Sequence, residues 1–193
     1  MARKREFDPD GVAEKAMQLF WKKGYAETSV RDLVEATGVA HAGLYAAFED
    51  KEGLYVAALA KYQKLAATML YSKLTAPEAG LQSIVDFFEF TLAASKGEPF
   101  SNGCMMANTS VEFGTSNEKL QKLVLINLEK LSRAFQHALN GAVGKGELAS
   151  DTKTDQLAAS LTATFQGLSV LIRAGAPESV IAGAVAATLT QLK

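Results

Sequence analysis

Apolar residues recur every three or four positions along most of this chain, the spacing that gathers them on one face of a helix. Asp8 and Pro9 open the first run in the preferred order, an acidic N-cap before proline at the first helical position, and Val12, Ala16, Leu19 and Phe20 carry it to Gly24. A second, short run begins with Thr28 or Ser29 as its cap and has Val30, Leu33 and Val34 on one face. Gly38 follows, at a turn that calls for the positive φ a β-branched residue resists. The third run starts near Ala40 and continues through Tyr45, with Val39, Leu44 and Phe48 inward. Asp50 caps a long fourth helix reaching about Tyr71, its stripe including Leu54, Tyr55, Ala58, Leu59 and Tyr62. Pro77 is expected to start a fifth helix that ends before Gly97, and the breakers from Lys96 to Gly103 predict a loop. Cys104 to Phe113 makes a short sixth, and Asn117 caps a seventh that stops at a glycine-rich connection from Gly141 to Lys153. Thr154 to Ala174 and Pro177 to Leu192 complete the pattern, which is that of an all-α protein.

The second and third runs are too short to be stable alone, and a glycine-punctuated turn between two such runs reads as a helix-turn-helix. With Val39, Leu44 and Phe48 turned inward, Ala40, His41, Ala42, Gly43, Tyr45 and Ala46 face out. That edge is slim, as a helix entering a major groove requires. The same local pattern also serves as a tight corner in helical proteins that bind no DNA.

Phe20, Gly24, Tyr25, Thr28, Ser29, Val30, Asp32 and Leu33, then Gly38 and Val39, then Gly43, Leu44, Tyr45, Phe48, Lys51, Glu52 and Leu54 stand in a register that resembles the DNA-binding domain of TetR/AcrR-family transcriptional regulators. The resemblance implies an N-terminal three-helix DNA-binding domain with a helix-turn-helix, residues 1–53. A larger helical domain for ligand binding and dimerisation follows, residues 54–193. It also implies a ligand-responsive regulator, read as a repressor, that binds palindromic operator DNA as a homodimer and is released by a small-molecule effector. Two family hydroxyls are missing: Ala40 stands where Ser or Thr is common, and Ala42-Gly43 where Gly-Ser or Gly-Thr is usual.

Composition fits this picture and narrows it. A chain of 193 residues, 48% hydrophobic with only four prolines, buries a substantial helical core and is not a disordered one. No apolar run reaches the roughly 18 residues of a membrane span, and Met1 to Glu6 is not followed by an apolar signal core, so no membrane partner is expected and a cytoplasmic location is. Cys104 is the single cysteine and His41 and His137 the only histidines, a poor supply for any metal site; no metal or cofactor is expected. Neither a nucleophile-histidine set nor a phosphate-binding glycine loop is visible, so the chain is not read as an enzyme. Charge is the discordant note. In the first 54 residues Arg3, Lys4, Arg5, Lys15, Lys22, Lys23, Arg31 and Lys51 face a slightly larger number of acidic residues, so the domain is not basic overall. DNA binding then depends on gathering a few positive groups on one surface, and its salt dependence is modest. The near-neutral charge is also the best argument for the alternative of a helical small-molecule carrier without DNA binding.

Individual residues follow. By resemblance, Tyr45 places its hydroxyl against a phosphate, with Thr28 and Lys51 in similar roles; capping, for Thr28, and plain solvation, for Lys51, are the bland alternatives. His41, early on the recognition helix, can donate to or accept from a purine edge, and Ala40, Ala42 and Gly43 give close approach and methyl contacts. For the effector, an apolar or aromatic molecule, the expected lining is Phe87, Phe88, Met105, Met106, Phe113, Phe135 and Phe165, with Asn108, Glu112 or Gln166 as polar anchors; each aromatic serves equally well as plain core. Gly103 to Glu112 resembles a segment of a TetR subgroup with members that respond to reactive electrophiles, and a thiol at a helix N-terminus has a lowered pKa, so Cys104 is a candidate redox or electrophile sensor; the alternative is a packed apolar cysteine. Finally, Ala182 to Ala187 are almost all small or β-branched. The last helix is therefore apolar nearly all round, and the last two helices are the expected homodimer contact.

Overall fold

The computed structural model describes residues 7–192, and among these nine α-helices follow one another with no strand. They are α1 (Pro9–Lys23), α2 (Val30–Thr37), α3 (His41–Phe48), α4 (Lys51–Ala66), α5 (Leu81–Ala94), α6 (Met105–Phe113), α7 (Glu118–Gly144), α8 (Thr154–Arg173) and α9 (Glu178–Thr190). None is long and apolar enough to cross a membrane.

Most boundaries are set by the caps read from the sequence. The Asp8 carboxylate accepts the amides of Asp10 and Gly11 at 3.1 Å each, and Gly24, at φ 90°, closes α1 by donating to Phe20 O at 2.8 Å. Asp50 accepts the Gly53 amide at 2.7 Å to start α4. That helix does reach Tyr71, but its last turn, Ala67–Tyr71, widens into a π-helical turn. Asn117 caps α7 through the Leu120 amide at 3.0 Å.

Two boundaries differ from expectation, for one shared reason. Pro77 does not begin α5; it sits in a turn closed by Ala79 N–H to Ala76 O at 3.0 Å, and the helix starts four residues later at Leu81. The Leu81 amide, free at the new N-terminus, donates to Glu147 Oε2 at 2.8 Å. Gly141, read as a breaker, lies inside α7, which runs on to Gly144. A Cβ on Gly141 would stand 2.1 Å from the Ala79 carbonyl oxygen. The glycine is thus an indentation in α7 that admits the chain leading into α5, and not a helix end.

In packing, α1 lies along α4 with α2 and α3 beside them, while α7 and α8 lie along each other and α5, α6 and α9 close around them. One continuous core joins the two groups, from Val12 and Phe20 through Tyr55, Leu59 and Tyr62 on α4 to Phe88, Phe135 and Phe165. The α4 helix therefore belongs to both.

Candidate nucleic-acid interface and effector cavity

The ends and the turn of the α2–turn–α3 unit are set by short-range hydrogen bonds. Ser29 is the N-cap: its hydroxyl accepts the Asp32 amide at 3.1 Å, and the Asp32 carboxylate accepts the Ser29 amide at 2.8 Å, a reciprocal capping box. Those hydrogen bonds from Ser29, and Lys23 Nζ at 3.0 Å, pull the Asp32 carboxyl down to about 2. Gly38 adopts φ 74° and donates to Val34 O at 2.9 Å, so the required left-handed turn is present. Beyond it, Leu44 is buried under α3.

On the outer edge of α3, Ala40, His41, Ala42, Tyr45 and Ala46 are exposed. The His41 and Tyr45 rings stack on one another, centroids 4.2 Å apart and planes 22° from parallel, which makes one flat polar-edged plate on an otherwise small surface. Gly43 does not belong to that edge as expected. A Cβ there would meet Val39 Cγ1 at 2.9 Å and Phe7 at 3.1 Å, so it faces inward and lets Phe7 lie against α3. Thr28 is a second correction. It is fully buried and its hydroxyl donates to Gly24 O at 2.6 Å, so it neither caps α2 nor offers an oxygen to a phosphate. Lys51, in the first turn of α4, holds its ammonium 4.2 Å from the centre of the Tyr25 ring. Partial burial lowers its pKa from the usual lysine value.

In the larger helical unit the expected lining is mostly solid core. The rings of Phe87, Phe88, Phe135 and Phe165 pack on each other, Phe87 lying 4.9 Å from Phe135 and 5.0 Å from Phe165. Phe88, Met105, Met106 and Phe135 are fully buried and line no opening, because their surfaces are spent on one another. Phe113 packs edge-on against Tyr25 at 5.0 Å, and Asn108 donates to Asn102 O at 3.0 Å beside an outer groove that also touches Glu112. Gln166 is not in the cavity wall either, yet its Nε2, like Asn127 Nδ2, is buried without a hydrogen-bond partner.

The free space lies elsewhere, a narrow cleft of about 20 Å³ whose apolar walls are Tyr62, Leu70, Phe90, Phe100, Phe165 and Ile172. Its polar edges are Thr91, Gly103, Cys104 and Ser169, and no charged side chain lines it among the described residues. Thr91 and Ser169 hydroxyls already donate to Phe87 O and Phe165 O, each at 2.8 Å. Of the expected lining only Phe165 is here, joined by Cys104, the sensor candidate. Tyr62 was visible in the α4 stripe, but nothing periodic distinguished Phe90 and Phe100 from core aromatics.

Cys104 is the N-cap of α6 and is 2% exposed. Burial pushes its thiol above the usual cysteine value, against weaker opposing pulls from Tyr62 and the Ala107 and Met106 amides. The lowered pKa expected of a thiol at a helix N-terminus is therefore reversed, because the sulfur is buried. Tyr62 is raised by burial beside it. Among the described residues no cluster of three or more metal-ligating side chains exists.

The last two helices leave Val170, Leu171 and Val180 exposed, and on α9 only Ile181 and Val185 are buried. An apolar helix with one covered side is how a subunit looks without its partner.

A helix-turn-helix whose slim third helix is exposed, joined through a shared helix to a helical unit with an apolar cleft, defines a one-component regulator of transcription. Residues 13–58 match the family model for bacterial regulatory proteins of the tetR family, and residues 80–188 match that of the tetracyclin repressor-like C-terminal domain. The HTH-type transcriptional repressor ComR of Escherichia coli is 32% identical over 175 residues, covering 90% of this chain and 83% of ComR. The HTH-type transcriptional repressor DhaR of a Mycobacterium species is 26% identical, over 81% and 77% of the two chains. Among solved structures, a cysteine mutant of the TetR family transcriptional regulator CifR, complexed with 26-base-pair operator DNA, superposes with a TM-score of 0.85 at 28% identity over 97% of this chain and 98% of CifR. The chain belongs to the TetR family, whose members are DNA-binding transcriptional regulators and not enzymes.

Proposed function

We propose that this protein is a repressor that binds a palindromic operator as a homodimer and lets go when a small molecule enters the cleft. Residues 1–53 read DNA; residues 54–193 bind the effector and pair the subunits. The observation that carries this reading is the exposed His41–Tyr45 plate on α3, held up by a complete capping box and a left-handed Gly38 turn. The Tyr45 hydroxyl takes a phosphate, His41 reads a base edge, and Ala40 and Ala42 bring α3 close to the groove floor. Lys51, seated on Tyr25, adds positive charge near the N-terminus of α4. The operator-bound CifR structure, similar over nearly its whole length, supports the DNA partner. Pairing runs through α8 and α9, where the exposed Val170, Leu171 and Val180 require cover. The effector is small, uncharged and apolar or aromatic, since the cleft offers rings, aliphatic groups and no charge. Such a regulator works in the cytoplasm, where its DNA is.

Binding of a labelled duplex from the region upstream of its own gene, repeated over a salt series, tests this. The expected affinity falls with salt at a log–log slope of about −5, as for a dimer touching a handful of phosphates. Binding that is absent or indifferent to salt leaves the helical carrier as the better account.

A further inference from the structure

We propose that Trp21 carries the state of the cleft to the DNA-reading helices, as a positioning residue that ties the end of α1 to the cleft wall. The proposal rests on the cleft being the effector site and α3 the DNA reader.

Trp21 lies in the last turn of α1 and is fully buried. Its indole N–H donates to Gly103 O at 2.9 Å. Its ring meets Tyr62 edge-on at 4.9 Å and Phe100 edge-on at 5.5 Å. Gly103, Tyr62 and Phe100 are all walls of the cleft. One side chain of the DNA-reading unit thus touches the back of the cleft in three places.

Its main chain is tied to the same loop. Arg173 Nη1, at the end of α8, donates to Trp21 O at 2.9 Å and to Asn102 O at 3.3 Å. The two neighbouring carbonyls Asn102 and Gly103 are therefore both engaged with Trp21, one through the guanidinium and one directly. A little further along, the Tyr25 and Ala26 amides donate to the Glu112 carboxylate on α6, the first at 2.9 Å.

The loop that receives these bonds has no slack on its far side. Gly103 sits at φ 71°, and a Cβ there would stand 2.3 Å from Ser169 O, so its backbone is pressed against α8. A molecule that swells the cleft cannot push Gly103 into α8; it displaces Phe100, Tyr62 and Gly103 toward Trp21. The end of α1 is in turn bound to α2, through Thr28 Oγ1 to Gly24 O at 2.6 Å and Lys23 to Asp32 at 3.0 Å. Movement of Trp21 therefore turns α2 and α3 with it, and a shift at the cleft becomes a change in the spacing of two recognition helices in the dimer.

The test fills the cleft by mutation, so that no effector need be known. Ala94→Phe and Cys104→Phe each force a ring into it and swell it as an occupant would, the first from a half-buried position that spares the core. Affinity for the labelled upstream duplex is measured for each filler alone and combined with Trp21→Phe, which keeps a ring and removes the N–H, or with Arg173→Gln. A filler is expected to weaken binding about ten-fold in the parent, within the usual range of coupling between sites, and about three-fold or less beside either latch variant. Trp21 is the only tryptophan, so its emission reads this site alone, and it shifts in Ala94→Phe without DNA. A filler effect of equal size with and without the latch overturns the proposal, as does an Ala94→Phe protein with parental emission, or one with shifted emission and unchanged affinity. Failure of the parent to bind the duplex sinks the DNA-reading function instead, and the emission arm still decides whether Trp21 senses the cleft.

Discussion

In and beside the helix-turn-helix the decisive contacts join residues three or four apart: Ser29 with Asp32, Gly38 with Val34, Asp50 with Gly53, Thr28 with Gly24. In the larger helical unit and at its junction with α1 they join residues far apart in the chain, as Leu81 with Glu147, Trp21 with Gly103, and Gly141 with the Ala79 carbonyl. The first region presents a surface outward and has an edge, stacked and bare, ready for a partner. The second turns its surfaces on themselves and keeps only a narrow space between them. Each region's vulnerabilities follow from the reach of its contacts.

The sharpest contrast is between two glycines. Gly141→Ala forces a methyl into the Ala79 carbonyl and is expected to cost about 3 kcal/mol or prevent folding, because α7 and the turn before α5 are already in contact there. Gly38→Ala meets nothing within 4 Å and carries only the left-handed backbone penalty, about 1 kcal/mol. Thermal unfolding of both variants ranks them; equal losses would erase the distinction between local and long-range control.

Thr28→Val comes next. Removing a buried hydroxyl from Gly24 O is expected to lower stability by about 1–2 kcal/mol while leaving the salt slope of DNA binding unchanged. A flatter slope with unaltered stability would restore the phosphate contact that burial rules out.

Ser29→Ala, which opens the capping box, is expected to cost about 1 kcal/mol. It also alters acid behaviour. The Asp32 carboxyl is lowered to about 2 by Ser29 and Lys23, so its ionised form stabilises the fold above the unfolded value near 4. That contribution is lost as pH falls from about 4 toward 2. The Ser29→Ala protein should lose less stability than the parent across that interval in a pH series of melts.

The smallest effect on folding falls on Tyr45→Phe. Its ring still stacks on His41, so the melting temperature holds, while loss of one hydroxyl weakens every duplex alike by a few-fold, about 1 kcal/mol. A change confined to particular sequences would make Tyr45 a base reader.

Much of the fold was legible because so many boundaries are written in adjacent residues. Asp8-Pro9, Asp50 and Asn117 act where they stand, whatever packs around them. The site was legible where it coincides with such local geometry: α3 and its exposed edge, but for Gly43, whose missing side chain is filled by Phe7 and Val39. The cleft was not. Phe88 and Phe90 are two positions apart on one helix, and only packing makes the first solid core and the second a cavity wall. For Cys104 the N-terminus of α6 was readable, while the burial that reverses its pKa was not.

By itself, the order of residues determined that the described residues form nine helices, where most of their caps lie, and that a short helix beyond Gly38 offers a slim face, since these depend on backbone preferences and hydrogen bonds a few residues in reach. Tertiary structure alone decided that Gly141 is a notch and not a break, that Thr28 is withdrawn from the surface, and which rings enclose space. Those outcomes turn on close approach between distant segments, where a few tenths of an ångström separate contact from collision, and no local pattern encodes that distance.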